Sequence, residues 1–214
     1  MVYPIAKYTV IPFIKLWIRK INGLENLPKD KGFVVVCNHG SYFDDAALPC
    51  TVMPEINKYF HIYVNSFFFK IFFSRIILRW GRCIPVDVGK GKPTRTNKKA
   101  FEDALNYLKK GEPIGIFPEG HRSYPDKMRE GKTGVAKLAL TAKVPVIPMG
   151  IKGSRDIMPL EKFGPRFKRC TINIGKPMYF NQYYGKENNK KVLRLVTDKI
   201  MKRIAKLAND RYDY

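Results

Sequence analysis

Four residues, Val34-Val35-Val36-Cys37, run apolar and mostly β-branched and then stop at Asn38-His39-Gly40. A run this short, closed by turn residues, reads as a buried strand and ties the chain to a sheet. His39 then falls where the strand ends, at the sheet edge where α/β proteins keep their chemistry. Ser41 opens a helical stretch through Tyr42, Phe43, Asp45, Ala46, Ala47 and Leu48. With Ser41 as N-cap, Asp44 is N3 in the first turn, folded back toward the residues before the cap. That spacing brings its carboxylate within reach of the His39 ring and makes a base with an orienting acid. The same letters also spell a plain capping box beside a structural histidine, and local spacing leaves both readings open.

The rest of the chain repeats the alternation. Residues 58–64 read as a weak strand with His61, taken as structural, inside it. A strand at 83–86 leads to a loop over 87–93 and a helix over 97–110, which places Ala100, Phe101, Ala104, Leu105 and Leu108 on one face. Strands follow at 114–117, 144–151 and 171–174, with a small-residue helix over 134–142. The last helix, 190–208, puts Val192, Val196, Ile200, Ile204 and Leu207 on one face. The pattern predicts an α/β fold with a central, mostly parallel or mixed sheet flanked by helices. At 214 residues the chain holds one large domain, here 25–214, after an N-terminal interfacial amphipathic helix within 1–24.

Forty Lys and Arg against eighteen Asp and Glu leave a net charge of +22, which favours an anionic partner: nucleic acid, acidic lipid or a phosphorylated substrate. Cys37, Cys50, Cys83 and Cys170 lack metal-ligand spacing and read as reduced, mostly buried thiols of a cytosol-facing protein; no metal site is expected. No stretch reaches the ~18 apolar residues of a membrane span. The first residues are apolar but carry Lys7, Lys15, Arg19 and Lys20 without a small-residue cleavage site. Phe13, Ile14, Leu16, Trp17, Ile18 and Ile21, interspersed with cations, read as a short helix lying in a membrane interface or packed on the domain. Five of the fourteen phenylalanines fall in 66–80, among Lys70, Arg75 and Arg79, a segment suited partly to the domain and partly to a lipid interface.

Three ordered blocks carry a resemblance. Asn38-His39 with Asp44 after an apolar strand resembles the first motif of the glycerolipid acyltransferases, the family of 1-acylglycerol-3-phosphate acyltransferases. Phe117-Pro118-Glu119-Gly120-His121-Arg122-Ser123 is similar to its Phe-Pro-Glu-Gly-Thr-Arg-Ser block, and Val144-Pro145-Val146-Ile147-Pro148 to its last motif. The resemblance covers roughly 30–155 and implies a glycerol-3-phosphate acyltransferase-like fold, with 25–214 as the acyltransferase domain. It implies that His39 is the general base and Asp44 its orienter, and that Glu119, Gly120 and Arg122 form the block that binds substrate phosphate. Arg122 offers the planar fork, Gly120 close backbone approach, and Glu119 a bond to backbone or to the arginine. Two positions depart from the family. His121 replaces a threonine, and Val88 stands where the second motif carries an arginine, so that Lys90 or Lys92 is left to supply that charge.

The implied reaction moves a fatty acyl group from acyl-CoA or acyl-carrier protein, as co-substrate and without a cofactor, to lysophosphatidate, giving phosphatidate. An imidazole with an unperturbed pKa of ~6.5 suits removal of the hydroxyl proton. A carboxylate on its other nitrogen fixes the tautomer, and the substrate hydroxyl takes the place of a serine. The implied partner is an anionic membrane surface and not nucleic acid, and the implied location is peripheral or monotopic on the cytoplasmic face. Two alternatives remain at this stage: another acceptor, such as glycerol 3-phosphate or a different lysophospholipid, and a nonenzymatic basic protein that binds membrane or nucleic acid.

Overall fold

A computed structural model describes residues 4–89, 94–123, 127–159 and 164–214. Two short helices, α1 (Pro4–Tyr8) and α2 (Val10–Lys15), precede β1 (Ile18–Asn22). The strand read from the valine run is β2 (Val34–Cys37), followed by α3 (Asp44–Ile56), β3 (His61–Asn65), α4 (Phe72–Trp80) and β4 (Ile84–Val86). Then come α5 (Arg95–Lys109), β5 (Ile114–Ile116), α6 (Gly134–Ala142), β6 (Val146–Lys152), α7 (Ser154–Ile157), β7 (Cys170–Ile174) and α8 (Lys190–Ala208).

The strands form one seven-stranded sheet in the order β1-β7-β6-β2-β5-β3-β4. β2 lies at its centre, parallel to both β5 and β6; β3 and β4 continue the parallel set, and β7 turns antiparallel to β6. The whole β2 strand is buried because helices cover both faces, as its unbroken apolar run requires. Val34 and Val36 face the core built with α5, α6 and α8. Val35 and Cys37 point the other way, into the core built with α3 and β7. Parallel strands end on a common edge, so the residues after β2, β5 and β6 converge there.

Two readings of the ends change. The helix expected over 13–21 stops at Lys15, and Ile18 and Ile21 instead pair with Cys170 and Ile172 as edge strand β1. The segment within 1–24 is therefore two short helices plus a strand of the main sheet. A one- or two-turn helix is marginal alone, and the open edge of β7 offers β-branched residues a full ladder of hydrogen bonds. On α8 the buried face is Leu193, Val196, Thr197, Ile200, Met201, Ile204 and Ala205, with Val192 and Leu207 at its margin. The helix end lies directly on β6: a Cβ on Gly150 would sit 2.3 Å from the Ala208 nitrogen.

Candidate active site

The turn after β2 is held from three sides. Asn38 spans to β6, its Nδ2 donating to the Ile151 carbonyl (3.0 Å) and its Oδ1 accepting from the Ile151 amide (2.8 Å). The His39 amide donates to Glu119 Oε1 at 2.8 Å, and the His39 carbonyl accepts from the Ser123 amide at 2.8 Å. Asp44 Oδ2 accepts the amides of Gly40 and Ser41, both at 2.8 Å, while Ser41 Oγ accepts from the Phe43 amide. This resembles a capping box, but the Ser41 hydroxyl takes the Phe43 amide and not that of Asp44. Regular helix begins at Asp44 with Phe43 as its N-cap, so Asp44 is the first helical residue and not N3.

The same Asp44 oxygen lies 3.6 Å from His39 Nδ1. Both readings of the turn thus coexist, because the box is what carries the carboxylate to the ring. The separation exceeds a hydrogen bond by roughly 0.7 Å, a gap of the size that closes when a catalytic site binds its substrate. Among the described residues, His39 Nδ1 and Asp44 Oδ1 are buried with no hydrogen-bond partner. The imidazole stacks on Phe117, centroids 4.1 Å apart, which fixes its plane.

The segment after β5 brings the second group. Arg122 Nη2 donates to Asp45 Oδ2 at 2.7 Å, and its guanidinium lies 3.8 Å over the Tyr42 ring. Asp45 Oδ1 stands 3.7 Å from His39 Nε2, so one carboxylate links the imidazole to the arginine. Glu119 is buried and does not pair with Arg122: its two oxygens accept the amides of His39 and Arg129, each at 2.8 Å. With both oxygens taken by amides, it braces the turn. Burial pushes its carboxyl up, against the lowering effect of those two amides.

Gly120 adopts φ +72°, and a Cβ there would meet Lys132 Cε and Nζ at 2.7 Å. Lys132 therefore crosses the glycine. Local desolvation, then Lys132, Arg129 and His39, lower the His121 pKa and keep that imidazole neutral near pH 7. Lys90 and Lys92 lie outside the described residues; a Cβ on Gly89, just before them, would be 3.8 Å from His121 Nε2. Asp45 and Lys132 escaped the sequence reading. Their signals were a second aspartate in the first turn of α3 and a lysine within Gly131-Lys132-Thr133-Gly134.

These groups open onto a cavity of about 780 Å³. His39, Asp45, Arg122 and Lys132 lie on its wall, and Phe60, Ile62, Val64, Leu78, Ile116 and Val135 make much of the rest apolar. Such a volume holds a lipid-sized ligand. His61 lies aside from this chemistry, fully buried and hydrogen-bonded at both nitrogens, to the Arg82 carbonyl and to Glu112. Among the described residues no group of side chains could hold a metal ion, and no helix is long and apolar enough to cross a membrane.

Fold and site describe an enzyme with an imidazole and a guanidinium at the wall of an apolar cavity. The acyltransferase family model matches residues 18–152, and the chain belongs to that family: it is an acyltransferase. It is 27% identical over 190 residues to a 1-acyl-sn-glycerol-3-phosphate acyltransferase of Bacillus subtilis, covering 89% of this chain and 88% of that one. It is 30% identical over 176 residues to a chloroplastic 1-acyl-sn-glycerol-3-phosphate acyltransferase of Arabidopsis thaliana and 28% over 200 residues to tafazzin of Drosophila melanogaster. The matches cover 81% and 85% of this chain but 46% and 51% of those proteins, so the chain spans about half their length. The crystal structure of PlsC, the 1-acyl-sn-glycerophosphate acyltransferase of Thermotoga maritima, shares the fold with a TM-score of 0.70 at 24% identity, over 100% of this chain and 81% of that one.

Proposed function

We propose that this acyltransferase moves a fatty acyl group from acyl-CoA or acyl-carrier protein to the free hydroxyl of lysophosphatidate, giving phosphatidate for phospholipid synthesis. The observation that carries the proposal is one juxtaposition. The His39 ring and the Arg122 guanidinium meet at Asp45 on the wall of the apolar cavity. A phosphorylated lipid alcohol presents the matching groups: an anion for Arg122, a hydroxyl for His39 and an alkyl chain for the cavity.

In this reading His39 Nε2 takes the hydroxyl proton as the oxygen attacks the thioester carbonyl, and Asp44 stabilises the resulting imidazolium through Nδ1. The carbon–sulfur bond breaks and the thiol leaves with a proton. Arg122 and Lys132 bind the phosphate, and Lys90 or Lys92 adds charge. Transfer is direct. Cys37, next to the site, and Cys83, on the cavity wall, are both held as thiols by burial, the latter pushed up to about 11.

The location in this reading is the cytoplasmic surface of an anionic membrane. Phe72, Phe73, Ile76 and Ile77 on α4 and Ile5, Tyr8, Phe13 and Leu16 at the N-terminus are exposed, and both groups adjoin cavity-lining residues of their own helices. With +22 net charge, such a surface suits acidic lipid. The test supplies purified protein with vesicle-borne lysophosphatidate and an acyl thioester and follows free thiol. Thiol release that tracks phosphatidate and disappears in His39→Ala supports the reading. Faster turnover with glycerol 3-phosphate or another lysophospholipid would replace the acceptor, and a fully active His39→Ala would remove the mechanism.

A further inference from the structure

Arg155, in α7, does not line the cavity, yet it reaches the back of the catalytic turn. A Cβ added to Gly40 would fall 2.5 Å from Arg155 Nε and 3.0 Å from its Cζ. The Arg155 side chain therefore lies close against the backbone one residue past His39, in space that only glycine leaves open. Its Nη2 donates to Ser123 Oγ at 3.0 Å. The Ser123 amide and hydroxyl both reach the His39 carbonyl, at 2.8 and 3.3 Å. Its Nη1 pairs with Asp210 Oδ2 at 3.1 Å, and the Asp210 side chain is only 6% exposed.

Asp210 belongs to the tail after α8, which is itself tied to the segment beyond the Arg122 block. The Met128 amide donates to the Arg211 carbonyl at 3.0 Å, and Tyr212 Oη donates to Asp198 Oδ1 at 2.7 Å. The tail thus grips both the arginine strut and the loop that leads to Lys132.

We propose that Arg155, clamped by Asp210, is a positioning residue that sets the His39 ring against Asp44 by fixing the backbone on both sides of it. The inference rests on the reading of His39 as the base. A guanidinium suits the task because its rigid fork can hold Ser123 and Asp210 at once while its Nε end lies against Gly40; a lysine offers one point of charge. Misplacement of a catalytic group by about 1 Å costs as much as ~100-fold in rate.

The test compares Arg155→Met, Arg155→Lys, Asp210→Asn and Ser123→Ala in thiol-release kinetics on the full chain. Arg155→Met is expected to lower kcat about 10- to 100-fold with both KM values within about twofold, and Arg155→Lys to recover part of it. Because Arg155 acts through Ser123, Arg155→Met added to Ser123→Ala should cost much less than it does alone. Ala104→Gly, in the buried face of α5 and apart from both Arg155 and the tail, is the control for stability: its melting point should fall with kcat retained. Where Arg155→Met does not fold, Asp210→Asn and Ser123→Ala carry the same comparison. Unchanged kcat, fully additive losses, or an equal kcat loss in Ala104→Gly would overturn the role of Arg155. A fully active His39→Ala, run alongside, would overturn the base itself, whereas loss in His39→Ala with full activity in Arg155→Met overturns only the strut.

Discussion

Asp45 stands between the two groups that the proposed reaction needs, one oxygen 2.7 Å from Arg122 Nη2 and the other 3.7 Å from His39 Nε2. A substrate phosphate must compete with it for the guanidinium. The carboxylate is half-exposed, so its repulsion of a phosphate is screened to about 0.5–1 kcal/mol. Asp45→Asn is therefore expected to lower KM for lysophosphatidate about two- to fivefold at constant donor. The gain should shrink in high salt. A raised acceptor KM would mean that Asp45 helps to bind substrate instead of competing with it.

Asp44 does two jobs with one oxygen, and an amide can do only one of them. In Asp44→Asn the carbonyl oxygen can still accept the Gly40 and Ser41 amides. That same oxygen is the one facing His39 Nδ1, so in the variant it is neutral and no longer stabilises an imidazolium there. The NH₂ group takes the place of Oδ1. We expect kcat to fall about 10²–10⁴-fold, close to the His39→Ala loss, with little change in melting temperature. Steady-state thiol release and a melting curve on the same preparation check both halves. A melting loss without a kcat loss would leave Asp44 as a helix cap alone.

The centre of this molecule was readable because local and global preferences agree there. The Val34–Cys37 run can only be a strand covered on both faces, and Asn38-His39-Gly40 can only end it. The Asp44 placement was readable for the same reason, since capping is chemistry between near neighbours. Partners distant in sequence were not. Nothing near Glu119 announces that its carboxylate accepts the His39 amide, 80 residues away. Arg122 takes Asp45, not Glu119, because the β5 loop and the start of α3 meet at the sheet edge. Ile18 and Ile21 misled for a related reason: helical spacing is local, and the open edge of β7 that claims them is not.

Burial raises the Glu119 carboxyl above its ordinary 4.5 despite two amide donors. The folded state then holds that proton more tightly than the unfolded chain does. Stability from this group is fully present below about pH 4.5 and declines as pH rises from there through the folded pKa. Glu119→Gln cannot titrate. The melting temperature of the wild type minus that of the variant should decrease with rising pH across that window and stay flat above it. Thermal melts between pH 4 and 8, roughly the range in which buried carboxyls titrate, read the sign directly. A difference that grows with pH would show the amides winning over burial.

Phe73 is 77% exposed and Phe13 58%, and neither lines the cavity. Both lie on helices whose other residues do line it, α4 through Ile77 and Trp80 and α2 through Val10. Docking these helices on a bilayer would deliver the cavity wall to the lipid, and each aromatic ring transferred would contribute about 1.5–3 kcal/mol. Phe73→Glu and Phe13→Glu should each weaken sedimentation with anionic vesicles about tenfold or more. Their melting temperatures in solution should move little, because each exposed ring makes a single edge contact with another aromatic, Phe73 with Phe72 and Phe13 with Trp17. Turnover of vesicle-borne acceptor should fall with binding, while a short-chain acceptor dissolved as monomer should be used at the wild-type rate. Equal losses on both acceptors would trace the effect to the fold, and unchanged sedimentation would take these two helices off the membrane.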